Sequence, residues 1–281
     1  MNRPANGQAV PLWVPCGASG IPEIRIVSGK VLIKSFICTS STKLFALWSW
    51  GEYVAFTLLH PSFKECDMDE YLKSTEAIEC DHPSIRVKAR ELVGNVESQH
   101  ASALRLFEFV RDRIPYNLFM ISMHPDDFRA TFVLEAGKGY CVQKAVLLCA
   151  LARAVGIPSR LAFARIRNHR IPPALQARLG RNEFPGHGYN QFFLEGRWIS
   201  AAATFDASLC NQINVPVVEF NGREDALLPA QTLEGKPYIE YIEHYGHFAD
   251  LPLDFITERT SKIWGRDKRA WKRPEDDTGF P

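Results

Sequence analysis

Val142, Ala145, Val146, Cys149, Ala152 and Val155 recur at the three-and-four spacing of one helical face, and no other pattern constrains the fold of this chain as tightly. Gly156 followed by Ile157-Pro158 sets the far end, because glycine takes the left-handed conformation that closes a helix and proline cannot continue one. At the near end, Gly137-Lys138-Gly139-Tyr140-Cys141 marks a loop turning into an amphipathic helix with Cys141 at its start. The first N–H groups of a helix have no partner within it and carry a partial positive charge, which favours a thiolate over a thiol. Cys141 is therefore placed where a nucleophile would be. Cys149 falls on the apolar face and reads as a small buried hydrophobe.

With 281 residues, 46% hydrophobic and 23% charged, the chain can bury a large core in one domain, with or without an extension. Thirty-three basic and thirty-two acidic side chains leave a net charge of +1, which gives no electrostatic footprint for nucleic acid or an anionic membrane. The seven cysteines Cys16, Cys38, Cys66, Cys80, Cys141, Cys149 and Cys210 are odd in number and form no CxxC pair; reduced thiols and a cytoplasmic location are expected. Met1 to Ala9 lack the cationic start and unbroken apolar core of a secretory signal. The apolar segment Leu44 to Leu59 is interrupted by Ser49, Gly51 and Glu52 and falls short of the roughly 20 residues that span a bilayer. Neither a GxxxxGK[ST] loop nor a GxGxxG fingerprint is present.

Residues 1–67 show no clean period and read as an extension, in part poorly ordered, that the domain does not need. From Met68 the signals become consistent. Asp81 before His82-Pro83 is expected to cap a helix, and a second helix runs through Leu104, Leu106, Phe107, Phe109 and Val110. After the cysteine helix, Ser159 to Arg167 alternates as a strand does, and a short helical pattern follows at Pro173 to Leu179. Tyr189 to Leu194 and Arg197 to Phe205 form a hairpin turning at Glu195-Gly196. A charged end, Lys262 to Pro281, reads as solvated.

A cysteine nucleophile needs a base that takes its proton and returns one to the leaving group, and histidine has the pKa for it. Among eight histidines, His187 opens the first hairpin strand and would deliver its imidazole to a cleft from a rigid platform. Here GYCVQKAVLLCALARAVGIPSRLAF, HGYNQFFLEGRWIS and, more weakly, DHPSIRVKARELVG through LRLFEFVRDRIPYN resemble the transglutaminase-like superfamily, a papain-like group with a Cys-His-Asp triad. The likeness extends over about residues 68–255, leaving 256–281 as a tail. It implies Cys141 as nucleophile and His187 as base. The triad aspartate of many relatives lies four residues after the hairpin tryptophan, and Trp198 plus four is Ala202. Asp206 is the nearest carboxylate and the candidate third member, but on a regular strand it would lie about 13 Å beyond Ala202, so the chain must bend for it to serve. Thr204, Asn190 or a backbone carbonyl are the alternatives for orienting His187.

The backbone N–H of Cys141 is the expected oxyanion donor, with Gln143 and Tyr140 as helpers or structural neighbours. His244 and His247 read as a packed or surface pair, not metal ligands, and Asn168-His169 as a turn that could line the same cleft. The expected fold is α+β, with the nucleophile helix packed on a mainly antiparallel sheet. The expected chemistry is attack of Cys141 on an amide or ester carbonyl of a peptide, protein or small acyl substrate, through a thioester and without a cofactor. Hydrolysis stands slightly ahead of transfer to an amine. The alternative is a domain that has lost catalysis and serves in binding or as a scaffold, with Ala202 as its evidence.

Overall fold

The computed structural model describes residues 68–96, 98–171, 176–177 and 180–264, together with four short strands before residue 68. The chain divides between Asp67 and Met68 into two units. In the first, Val10–Pro11 (β1) pairs antiparallel with Phe45–Ala46 (β4), and Ile24–Val27 (β2) with Lys30–Ile33 (β3). The remainder of 1–67, where poor order was expected, lies outside the described residues. So do most of the stretch Pro173 to Leu179 and the charged tail from residue 265.

The second unit opens with a 3-10 turn at Met68–Tyr71 and two helices, Pro83–Val93 (α1) and Gln99–Arg113 (α2). The cap of α1 is His82, not Asp81: its Nδ1 accepts the Ser84 N–H at 3.3 Å. Proline lacks an N–H and has a preset φ, so Pro83 takes the first helical position and its predecessor becomes the cap. Two further 3-10 turns, Leu118–Met120 and Pro125–Phe128, lead to Ala130–Ala136 (α3). The cysteine helix follows as Cys141–Ala154 (α4).

α4 is not amphipathic. It packs against α1, α2 and α3 as well as the sheet, and every residue from Val142 to Arg153 is buried. The polar side chains that suggested a wet face find partners inside. Gln143 Oε1 accepts the Tyr140 N–H at 3.2 Å while its Nε2 donates to the Asp127 carbonyl at 2.7 Å. Lys144 Nζ donates to the Arg111 carbonyl at 3.0 Å, and Arg153 bonds the carbonyls of Ser159 and Lys73. Each large apolar side chain of α4 removed from water contributes about 1.5–3 kcal/mol, and the bonded polar groups avoid the cost of unpaired burial. This helix is the axis of the core.

The sheet has the order β7-β6-β5-β8, all antiparallel, from Ser159–Asn168 (β5), Glu183–Leu194 (β6), Arg197–Ala201 (β7) and Ile239–Phe248 (β8). Helix and antiparallel sheet together make the α+β fold expected. Glu195 and Gly196 turn the β6–β7 hairpin at φ 49° and 80°, the left-handed pair that suits a two-residue connection. β5 does not alternate: its first six residues are all buried, because α4 covers one face and aromatic side chains of β6 and β8 cover the other. β7 stops at Ala201 instead of running to Phe205. The Ala202 N–H bonds the Ala226 carbonyl at 2.8 Å, and the chain leaves the hairpin for a short helix, Ala207–Gln212 (α5).

The last described helix, Leu253–Trp264 (α6), runs through the expected domain limit at 255. It packs on β6, and a Cβ built on Gly186 would come within 2.7 Å of Thr260 Cγ2. No described helix is long and apolar enough to cross a membrane.

Candidate active site

Cys141 is the first residue of α4 and is half-buried. Its Sγ lies 4.0 Å from the Gly186 carbonyl oxygen, and the backbone N–H dipoles of Gly188, Val142 and Cys141 favour its thiolate. The sulfur thus lies against the backbone that carries His187. Gly188 makes this approach possible: a Cβ there would sit 3.1 Å from Phe163 Cε1 and 3.2 Å from Val142 Cα. Burial pushes the Cys141 thiol up to about 11, and the three backbone donors and the Lys144 ammonium only partly offset it. The helix start supplies donors to the sulfur but does not make it a thiolate at rest.

His187 is buried, and its Nε2 lies 3.2 Å from the Tyr241 hydroxyl. That is the hydrogen bond of its ring among the described residues. The Tyr241 oxygen also accepts the Leu228 N–H, at 3.3 Å. Tyr189 stacks on the imidazole at 5.9 Å between centroids, and Tyr241 meets it edge-on at 5.7 Å. Small residues below make room for these rings, since Ala164 pairs with His187 on one side and His244 on the other, and Ala162 pairs with Tyr189 and His247. Burial pulls His187 down to about 3, because no neighbouring charge compensates an imidazolium there. The pair rests as thiol and neutral imidazole.

Asp206 is engaged elsewhere. It caps α5, with Oδ1 accepting the Leu209 N–H at 3.0 Å and Oδ2 the Tyr116 N–H at 3.0 Å. A second carboxylate serves the same short helix, as Asp112 Oδ1 accepts the Ala207 N–H at 3.1 Å. The bend needed to bring Asp206 to His187 does occur after Ala201, but it carries the side chain into a helix cap, the commonest task of an aspartate before a helix. The charge facing Asp206 and Asp112 is that of buried Lys144, whose ammonium burial pulls down to about 7 against the pull of both carboxylates.

Ala202, 1% exposed, would oppose Tyr189 if the register Asn190↔Ala201 ran one step further. On that extended register a side chain at 202 would fall on the sheet face of His187, and Ala202 offers only a methyl group. Among the alternatives, the Asn190 amide donates to the Ala145 carbonyl at 2.8 Å, which ties β6 to α4, and Thr204 lines the cleft. Gln143 is turned into the core by the bonds described above, whereas Tyr140 stands at the cleft wall. His244 belongs to the aromatic cluster: its Nδ1 is 3.2 Å from the Tyr189 hydroxyl and its ring stacks on Tyr241 at 5.5 Å. His169 bonds Glu240 at 3.3 Å at the surface. Tyr241, the partner of His187, stands 54 residues away in sequence and had no local signal to mark it.

Cys141 and His187 open into one cleft, with about 780 Å³ of empty space that is partly open to solvent. Its lining comes from the Tyr116–Met123 segment, the start of α4, the ends of β5 and β6, Thr204-Phe205 and α6. The sequence profile of the transglutaminase-like superfamily matches residues 86–203. Two solved structures are similar to the chain. One is a Cytophaga hutchinsonii protein described as a candidate cysteine protease, 17% identical, covering 66% of this chain and 47% of that one at a TM-score of 0.43. The other is a Parabacteroides distasonis protein described as a candidate protease, 15% identical, covering 49% of this chain and 25% of that one at a TM-score of 0.32. The chain thus spans about half the length of the first and a quarter of the second. No curated protein matches it. Residues 86–203, the segment that matches the transglutaminase-like superfamily, carry both the α4 cysteine and the β6 histidine.

Proposed function

We propose that this protein is a cysteine-dependent acyl hydrolase acting on amide or ester groups of a peptide or small acyl substrate. The observation that carries the reading is that Cys141 Sγ lies 4.0 Å from the carbonyl of Gly186, the residue before His187, with both side chains lining one cleft. Cys141 is the nucleophile and His187 the base. With Nε2–H directed at the Tyr241 oxygen, Nδ1 is the acceptor. As the sulfur attacks the carbonyl carbon, the thiol proton passes to that nitrogen and the S–C bond forms. The N–H groups at the start of α4 face the developing oxyanion. The imidazolium then returns its proton to the departing amine or alcohol as the C–N or C–O bond breaks; water adds to the thioester with His187 again as base, the C–S bond breaks, the acid leaves and the imidazolium returns the proton to sulfur. The neutral resting pair means that proton transfer accompanies attack instead of preceding it. Hydrolysis stands ahead of transfer to an amine, because no carboxylate among the described residues lines the cleft to attract an incoming amine. The four described cysteines are unpaired, which suits work in a reducing cytoplasm.

Tyr241 is the positioning residue in this scheme. On a panel of p-nitrophenyl esters, His187→Ala is expected to remove turnover. Tyr241→Phe is expected to lower kcat by about tenfold with little change in KM, the size of one orienting hydrogen bond. Equal rates in His187→Ala and the parent protein would exclude the imidazole from catalysis.

One observation favours a second reading. With only a methyl group at Ala202 and Asp206 committed to α5, no described carboxylate bonds the imidazole, as in a domain that binds acyl or peptide groups without turning them over. Substrate binding without release of p-nitrophenol in any variant would support it.

A further inference from the structure

The walls of the cleft extend past the nucleophile and have a uniform chemistry. Leu118, Ile121, Met123, Ile166, Phe184 and Ile256 line it, and among the described residues no Asp, Glu, Lys or Arg does. Two polar groups of the lining are engaged within the protein. The Thr260 hydroxyl donates to the Ile256 carbonyl at 2.7 Å, and the Asn168 side-chain oxygen accepts the Arg170 N–H at 2.8 Å. Burial favours the uncharged forms of Cys141 and His187, which also line the cleft. Part of the wall lies outside the segment that matches the superfamily, since Phe205, Ile256 and Thr260 follow residue 203. α6 seats these last two against Gly186, where even a methyl group would collide with Thr260.

We propose that this cleft selects an uncharged, apolar acyl group, an aliphatic or aromatic side chain attached to the carbonyl that Cys141 attacks. The proposal rests on Cys141 being the acyl-accepting thiol, and it adds what the thiol accepts. An apolar substituent entering the slot gains about 25 cal/mol for each Å² it removes from water. A carboxylate or ammonium loses its hydration there and meets no opposite charge, a cost of several kcal/mol. α6 thereby becomes a specificity element, with Ile256 as the residue that meets the substituent opposite Met123 and Phe184.

The test uses the full chain and haloacetamides, which alkylate the sulfur without an enzymic base or turnover: the thiol proton passes to solvent, the S–C bond forms, the C–I bond breaks and iodide leaves. Iodoacetamide, N-hexyl-iodoacetamide, N-phenyl-iodoacetamide and iodoacetate are each reacted at pH 9. The rate at Cys141 is read from its peptide by mass spectrometry and divided by the rate of the same reagent with glutathione. The hexyl and phenyl reagents are expected to exceed iodoacetamide by at least about tenfold in this ratio, and iodoacetate to fall below it by a similar factor. Met123→Lys at the rim and Ile256→Lys deeper in the wall are expected to raise the iodoacetate ratio; either variant that folds suffices. Iodoacetate reacting as well as the apolar reagents, or Cys141 refusing all four, overturns the proposal. The same preference in His187→Ala separates the two readings. Selectivity without an acyl-enzyme in the parent protein leaves the pocket and removes the catalysis; an acyl-enzyme without selectivity does the reverse.

Discussion

The hydrogen-bond partner of His187 is a phenol, which brings no charge as a carboxylate would, and the ionisation of the whole pair follows from that. A carboxylate beside an imidazole favours its protonated form and so draws a proton from a neighbouring thiol; a hydroxyl leaves both neutral. Iodoacetamide labelling of Cys141 is therefore expected to keep rising to at least pH 10, following a thiol held near 11, and a plateau below pH 8 would contradict the neutral pair. Ala202→Asp places a carboxylate on the face of His187 and is expected to move that profile down by about one pH unit or more. An unmoved profile would show that position 202 does not reach the imidazole. That Cys141 starts a helix and that His187 lies on a strand beside it was legible in the sequence, because each sits in a local motif, a glycine-flanked helix start and a glycine-flanked strand. The hydrogen-bond partner of His187 was not legible. Asp206 has the right chemistry but follows a strand whose end no local pattern marks, and Tyr241 reaches His187 only through the pairing of β8 with β5.

α4, β6 and α6 meet at two glycines, so the spacing of these elements at the sulfur is set by the absence of a side chain. Gly188→Ala would press a methyl against Phe163 and the Val142 backbone, and is expected to cost about 1–3 kcal/mol in denaturant unfolding, as overpacking does. At Gly186 the obstacle is one methyl of Thr260, at 2.7 Å. Thr260→Ser removes that methyl and keeps the hydroxyl, so the double variant Gly186→Ala with Thr260→Ser is expected to lose less stability than the two single changes summed. Strict additivity would show that α6 does not rest on Gly186. The existence of α4 and of the hairpin was readable from spacing and turn residues, which act over a few positions. What α4 packs against was not, because Gln143, Lys144 and Arg153 look like a solvated face until their partners on α2, the Asp127 turn and β5 are known.

Over the whole second unit, His187 ties stability to pH. It is held down to about 3 when folded against about 6.5 when unfolded. The stability this neutral histidine contributes is present above pH 6.5 and is lost as pH falls through that value toward 3, at about 1.4 kcal/mol per pH unit. The parent protein is expected to lose stability over this window more steeply than His187→Gln, by urea unfolding at a series of pH values; identical slopes would contradict the burial of a neutral imidazole. The described core is built from residues between Ala77 and Ile256, so a fragment from Met68 to Pro281 is expected to be soluble and to unfold cooperatively, and an insoluble product would show that residues 1–67 complete the fold. The central claim, that Cys141 accepts an acyl group with His187 as its base, is tested most directly by intact-protein mass spectrometry after brief exposure to a p-nitrophenyl ester of an apolar acid at neutral pH. The expected result is one added acyl group, located on the Cys141 peptide, absent in Cys141→Ala and strongly reduced in His187→Ala. An unmodified protein, or the same adduct in Cys141→Ala, would contradict it.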